Sequence, residues 1–246
     1  GANLSRFMQC LLEFHDTGVG FISIDTIPEL LKRLQYSMKS DDAYARAEFD
    51  YFIAKVSPVT KLPAPQAYKC AFTGIMKGDE YKFILEVNVI AASLCPCSKE
   101  MSLLKNLGKI VEERDTAIII GNDGPPALAG KNLLEVVGMG AHNQRSLIRV
   151  QLTSKDNQII WIEDVIEAIE KSASAPTYPL LKRPDEKFVT EMAYNNAKFS
   201  EDILRDLQKN IEALSNIESW SLKVENQESI HPYSVTCYQN SDSWKY

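Results

Sequence analysis

The sequence predicts an α+β protein built from antiparallel sheets, each with a pair of helices on one face. Three observations predict it. Amphipathic helical segments occur in pairs, strand-like runs occur in pairs joined by short turns, and these pairs follow one another as αα-ββ and then ββ-αα-ββ. The second half is a complete ββααββ unit; the first is the same unit without its opening hairpin, a repeat of architecture and not of sequence. The expected division is 1–78 and 79–246, with an insertion at about 99–139 in the second unit. A sheet short of two strands exposes an edge and an apolar face. A further N-terminal stretch, or a neighbouring subunit, is therefore expected to cover it.

The elements follow in order. "NLSRFMQCLLEFHD" sets Leu4, Phe7, Met8, Leu11, Leu12 and Phe14 at helical spacing with one wet face. "DTIPELLKRLQYSMKS" is a second helix, with Thr26 as its expected N-cap ahead of Pro28 and Glu29 in the first turn. "AEFDYFIAKVSPVT" is rich in aromatic and branched residues and reads as a strand closed by Pro58. The run from Gln66 to Leu94 reads as two strands turning at Gly78-Asp79. "KEMSLLKNLGKIVEERD" looks helical, "TAIII" is a short apolar run, and "GNDGPPALAGKN" is a loop. "RSLIRVQLTS" alternates as a strand does. "WIEDVIEAIEKSAS" and "SEDILRDLQKNIEALS" are amphipathic helices, the latter with Ser200 as its expected N-cap and acids in its first turn. The stretch from Trp220 to Gln239 reads as two strands around a polar turn.

Composition narrows the function. The chain has 246 residues, 45% hydrophobic and 24% charged, enough for one or two packed domains. With a net charge of −6 and no long basic run, neither nucleic acid nor an anionic membrane is the expected partner. No stretch approaches the ~20 apolar residues of a spanning helix, and the opening "GANLSRFMQC" has no secretory pattern. Five cysteines form no disulfide framework: Cys10, Cys70 and Cys237 stand singly among apolar neighbours as buried or strand-facing thiols. A reducing cytoplasm is the expected location.

Four polar clusters remain. "SLCPCSKE" places Cys95 and Cys97 one residue apart at the end of an apolar run. They read equally as small core fillers or as reactive thiolates. "GAHNQRS" surrounds His142 with small residues and hydrogen-bonding groups, either a ligand site or a capped loop. "KRPDEK" reads by default as a solvated charged loop, although its carboxylates could hold a metal and its cations a phosphate. In "NQESIHP" an acid and an amide precede His231, a good orienting shell for an imidazole. Glu201 by default is an acid favoured at a helix N-terminus. Together Cys95, His142, Glu186 and His231 offer sulfur, nitrogen and oxygen donors that suit a divalent transition metal. Ligands so widely spread in sequence favour a catalytic over a structural site.

"SLCPCSKE", "GAHNQRS", "YPLLKRPDEKFVTEMAY", "FSEDILRD" and "ENQESIHP", in this order, resemble the motifs of GTP cyclohydrolase type IB. "NLSRF" and "SPVTK" fit the first domain of that family, so the resemblance covers nearly the whole chain. It implies the tunnelling fold, with tandem ββααββ units and subunits closing into barrels in a homotetramer with sites at subunit interfaces. It implies conversion of GTP and water to 7,8-dihydroneopterin triphosphate and formate, the first step towards folate-type pterins. One divalent metal per site (manganese, iron or zinc) is implied, with Cys95, His142, Glu186 and His231 as metal-site residues. Cys97 would be the second active-site thiol, and Cys95, Cys97 and His142 the catalytic set. Glu201 resembles the acid that anchors the ring, with Glu228 in the same pocket; a carboxylate there accepts two parallel N–H bonds from a 2-aminopyrimidinone edge. The triphosphate needs cations, for which Arg145, Lys182, Arg183 and Lys187 are candidates.

Two features depart from the bacterial pattern. Cys95 and His142 lie 47 residues apart (142 − 95), whereas bacterial members set these motifs much closer. The intervening helix and glycine-proline loop resemble an insertion of some archaeal relatives. The second departure is the absent opening hairpin. Two rival readings stand beside the main one: a nitrile-forming reductase of the same fold, with a cysteine nucleophile and NADPH, and a non-catalytic metal-holding scaffold.

Overall fold

In the computed structural model, residues 4–16, 21–101, 118–119, 127–128, 131–132 and 140–246 are described. Helices α1 (Leu4–Phe14) and α2 (Ile27–Met38) precede three 15-residue strands, β1 (Asp42–Val56), β2 (Pro63–Lys77) and β3 (Glu80–Leu94). Within the expected insertion lie three two-residue strands, β4 (Ile118–Ile119), β5 (Ala127–Leu128) and β6 (Lys131–Asn132). Then come β7 (Asn143–Ser154), α3 (Ile162–Ser172), β8 (Ala175–Pro176), α4 (Arg183–Asn195), α5 (Ser200–Glu212), β9 (Ile217–Gln227) and β10 (Ser234–Asn240).

The long strands form one antiparallel sheet in the order β1-β2-β3-β7-β9-β10, with β8 against β3. The strands of the two repeats thus join edge to edge through the β2–β3 hairpin, whose turn holds Gly78 at φ 56°, a left-handed conformation that glycine adopts without steric cost. The expected boundary after residue 78 falls in this turn, and the sheet runs through it. Helices cover one face. Val87, Val150, Leu152, Leu222 and Val224 from the sheet are fully buried together with Ile169 of α3 and Ile203, Leu207 and Ile211 of α5. Under α2, Gly74 of β2 gives the helix room: a Cβ there would lie 2.2 Å from Ile27 Cγ2. The other face is open and polar. Across five strands one row reads Asp50, Lys69, Asn88, Arg149 and Lys223. Among the described residues β1 and β10 are the sheet's outer strands.

Several local expectations need correction. The "KRPDEK" run is not a solvated loop; it opens α4, with Pro184 in the first turn and Asp185 fully buried. The N-cap of α5 is Phe199, and Ser200 is its first helical residue. Its capping bond comes from Asp202, whose Oδ2 accepts the Phe199 amide at 3.1 Å. Thr26 stands at the N-cap of α2, yet its hydroxyl donates back to the Phe21 carbonyl at 2.8 Å rather than capping the helix amides. The helix expected after the cysteines is present at residues 96–101, and the rest of that expectation lies outside the described residues. In α1 the apolar stripe of Leu4, Met8 and Leu12 is exposed, and only Cys10 and Phe14 are buried.

Strand register gathers the sequence motifs at one end of the sheet. There β3 ends opposite the start of β7 (Leu94 with Asn143), and β9 ends opposite the start of β10 (Gln227 with Ser234). The β1–β2 turn lies at the same end, where Asp185 joins it to the start of α4.

Candidate active site

Beyond the last paired residues of β3 and β7, the Cys95 amide donates to the His142 carbonyl at 3.3 Å. The two motifs are therefore adjacent, as consecutive rungs of one ladder. Ser98 fixes both: its hydroxyl donates to the Cys95 carbonyl at 3.3 Å and accepts the His142 amide at 3.2 Å. The Lys198 amide, just before α5, binds the Leu94 carbonyl at 3.1 Å and ties that helix start to the same end of the sheet. Cys95 is half-buried and Cys97 exposed. Pro96 is the first residue of the helix at 96–101, a position where its missing amide hydrogen costs nothing.

His142 is half-buried, with Nδ1 at 3.3 Å from Ser229 Oγ in the β9–β10 turn. This contact orients the ring, as the other nitrogen of a ligating imidazole is oriented. The same turn carries half-buried Glu228 and exposed His231, whose ring stacks on Tyr233 with centroids 5.1 Å apart. Glu201, in the first turn of α5, is exposed; its Oε2 accepts the Ser200 hydroxyl at 3.1 Å. Because Asp202 performs the capping, the Glu201 carboxylate remains available to a ligand. Glu186 and Arg183 are exposed on the first turn of α4, and Arg145 is exposed on the open face of β7.

Thus the chain brings together Cys95, His142 and the turn of Glu228 and His231. It does not gather all four expected metal-site residues: among the described residues, no three His, Cys, Asp or Glu side chains come close enough to hold a metal ion. Asp185, one residue before Glu186, reads from the sequence only as a carboxylate of a charged run that could hold a metal; in the structure it is a buried cap. Its oxygens accept the Val59 amide at 2.8 Å, the Thr60 amide at 2.9 Å, the Thr60 hydroxyl at 2.6 Å and the Lys182 amide at 2.9 Å. Burial alone would raise its pKa, but the hydrogen bonds from Thr60, Lys182 and Val59 outweigh burial and hold the carboxyl well below the usual range. The signal was available in principle: a proline followed by an acid marks a helix start.

A model of the family described as type I GTP cyclohydrolase folE2 matches residues 1–237. The chain belongs to this family. The GTP cyclohydrolase FolE2 of Magnetococcus marinus is 36% identical over 238 residues, 97% of this chain and 74% of that protein. The FolE2 of Syntrophobacter fumaroxidans is 36% identical over 243 residues, 98% and 79% of the two chains. Among solved structures, uricase from Arthrobacter globiformis superposes with a TM-score of 0.54 at 6% identity, covering 98% of this chain and 77% of that one. This likeness is one of fold alone. The fold of this folE2-family chain is thus the antiparallel α+β tunnelling fold that the resemblance implies.

Proposed function

We infer that the chain is a GTP cyclohydrolase, converting GTP and water to 7,8-dihydroneopterin triphosphate and formate in folate-type pterin synthesis. Membership of the folE2 family supports this reading, and one observation carries it to particular residues: Cys95 and His142 meet on adjacent strand ends, with Ser229 against the histidine.

A thiol and an imidazole carried on facing residues of adjacent strand ends are donors suited to Zn²⁺, Fe²⁺ or Mn²⁺, and Ser229 at Nδ1 leaves Nε2 for a metal. Cys95, His142, Glu186 and His231 would hold one divalent ion per site. When bound, it supplies a Lewis acid that activates water for attack at guanine C8. The protein's own part is to bind, orient and move protons. Glu201 accepts two parallel N–H bonds from the N1–H and 2-amino edge of guanine, and Glu228 lies in the same pocket. Cys97 and His142 shuttle the protons that ring opening and loss of formate require.

The exposed positions of Glu186 and His231, and the outer strands β1 and β10, which among the described residues each pair on one side only, support sites completed between subunits of a homotetramer. Free thiols and a nucleotide substrate favour the cytoplasm. The test incubates purified protein with GTP and each of the three metals, following formate release and pterin fluorescence. Metal-dependent production of both is expected. Absence of product with every metal overturns the reading.

A further inference from the structure

On the helix-covered face of the sheet, α2 packs on β1 and β2, and α3 packs on β3. Between the two lies a cavity of about 220 Å³. Phe72, Phe83 and Leu85 of the sheet line it, the two phenyl rings tilted at 51° with centroids 5.3 Å apart. Ile24, ahead of α2, and Ile160, ahead of α3, line it as well. Trp161 also lines it yet is 62% exposed, which puts its ring at the opening. A dry apolar cavity of about 150 Å³ takes benzene, so this one has room for a ring system of about nine heavy atoms.

One buried polar group interrupts this apolar lining. Ser154, the last residue of β7, is only 5% exposed, and its hydroxyl has no hydrogen-bond partner among the described residues. It stands at the N-cap of a short 3₁₀ turn, Lys155–Asn157, where a serine ordinarily bonds the first amides, but it makes no such bond. Buried hydroxyls are nearly always paired, and an orphaned one carries a desolvation cost. A guest with a single N–H or O–H group would supply the missing bond.

Charge narrows the guest further. Among the described residues no Lys or Arg lines the cavity, and its one carboxylate, Glu163, already accepts the Tyr51 hydroxyl. That bond, together with burial, pushes the Tyr51 phenol up to about 12, so it stays neutral. An ion taken into such a lining would be left unpaired, at a large cost. The cavity is also remote from the candidate reaction centre: Ser154 follows His142 by twelve residues (154 − 142), roughly 40 Å along an extended strand.

We propose that this cavity is a binding site for a small uncharged aromatic molecule bearing one N–H or O–H group. The ring system packs on Phe72, Phe83 and Trp161, and the polar hydrogen is donated to Ser154 Oγ. Binding there also covers apolar surface of Trp161 that otherwise faces water. The site is separate from the nucleotide site and stands whether or not the GTP cyclohydrolase reading does.

The test titrates the full chain in a calorimeter with indole, and with indene, which has the same shape but a methylene group in place of the N–H. Indole should bind saturably, with Kd on the order of 0.1 mM. Ser154→Ala should weaken indole by about three- to tenfold and leave indene unchanged. Trp161→Ala, at an exposed position, should weaken both compounds, and melting temperatures like the parent's will exclude misfolding. GTP at millimolar concentration should leave indole binding unchanged. No saturable indole binding up to several millimolar would overturn the site. So would an indole affinity untouched by Ser154→Ala, which would mean that water alone serves the hydroxyl. Competitive displacement of indole by GTP would also overturn it, by making the cavity part of the nucleotide site.

Discussion

The contact that holds the two halves of the candidate site in register is a buried pair below it. Ser146 Oγ donates to Asn226 Oδ1 at 2.6 Å across the β7–β9 ladder, where both residues are at most 1% exposed. Ser146 follows His142 by four residues on β7, and Asn226 precedes Ser229 by three at the end of β9. Ser146→Ala leaves the Asn226 carbonyl oxygen buried without its donor; Asn226→Ala strands the hydroxyl. An unsatisfied buried polar group costs about 1–3 kcal/mol. In a chain of this size each kcal/mol lowers the melting temperature by about 2–4 °C, so a loss of about 2 kcal/mol per variant predicts a drop of roughly 4–8 °C. The double variant has no stranded partner. It should cost less than the sum of the single changes, with a coupling of about 1 kcal/mol or more. Urea melts at one fixed protein concentration measure this, with the midpoint moving and the slope constant. Additivity to within about 0.5 kcal/mol, or single variants as stable as the parent, would refute the reasoning.

Three further outcomes are expected. Gly74→Ala forces a methyl group onto Ile27 and Leu31, on the buried face of α2, and should destabilise by about 1–3 kcal/mol in a thermal melt; a neutral result would mean the helix can shift away. Asp185 has a depressed pKa when folded, so its contribution is complete above the unfolded value of about 3.9 and is lost as pH falls through the folded value. Asp185→Asn should therefore lower stability at neutral pH and flatten the acid limb of the pH–stability curve, and an acid limb like the parent's would count against it. Burial, helped by Asp50 and Glu86, pushes the Cys70 thiol up to about 12, whereas Cys97 is exposed. Iodoacetamide at mildly alkaline pH should label Cys97 first and spare Cys70 in the folded protein, as peptide mass spectrometry will report.

The strands were legible because their information is local. A period of two in β1 and β7 and a glycine turn after β2 are written in consecutive residues. Helix α4 was not legible, and its burial explains why. It buries only Asp185 and Ala193, so it has no apolar stripe to read, and its docking rests on a carboxylate capped by the β1–β2 turn. The placing of β9 beside β7 was hidden for another reason: it depends on pairings between residues far apart in sequence, such as Ile148 with Val224, which no local pattern specifies. Of the candidate site, residue types and motifs could be read in advance. The adjacency of His142 to Ser229 required the register.

Register also explains the distance between the two central motifs. Cys95 and His142 are 47 residues apart (142 − 95), yet the Cys95 amide bonds the His142 carbonyl directly after the last rung of the β3–β7 ladder. The chain thus leaves the sheet after Cys95 and re-enters it at His142, at neighbouring points. Lengthening the connection between two fixed points adds only about 0.6 kcal/mol of closure cost for each doubling of its length. The β3–β7 pairing from Ile84–Thr153 to Leu94–Asn143 is long enough to hold the two strand ends together whatever the loop contains. Ser98 reinforces them from the first turn of the helix at 96–101, bonding the Cys95 carbonyl and the His142 amide together. A long excursion between the thiol and the imidazole is therefore compatible with an intact reaction centre, because the ladder fixes their separation and the loop does not.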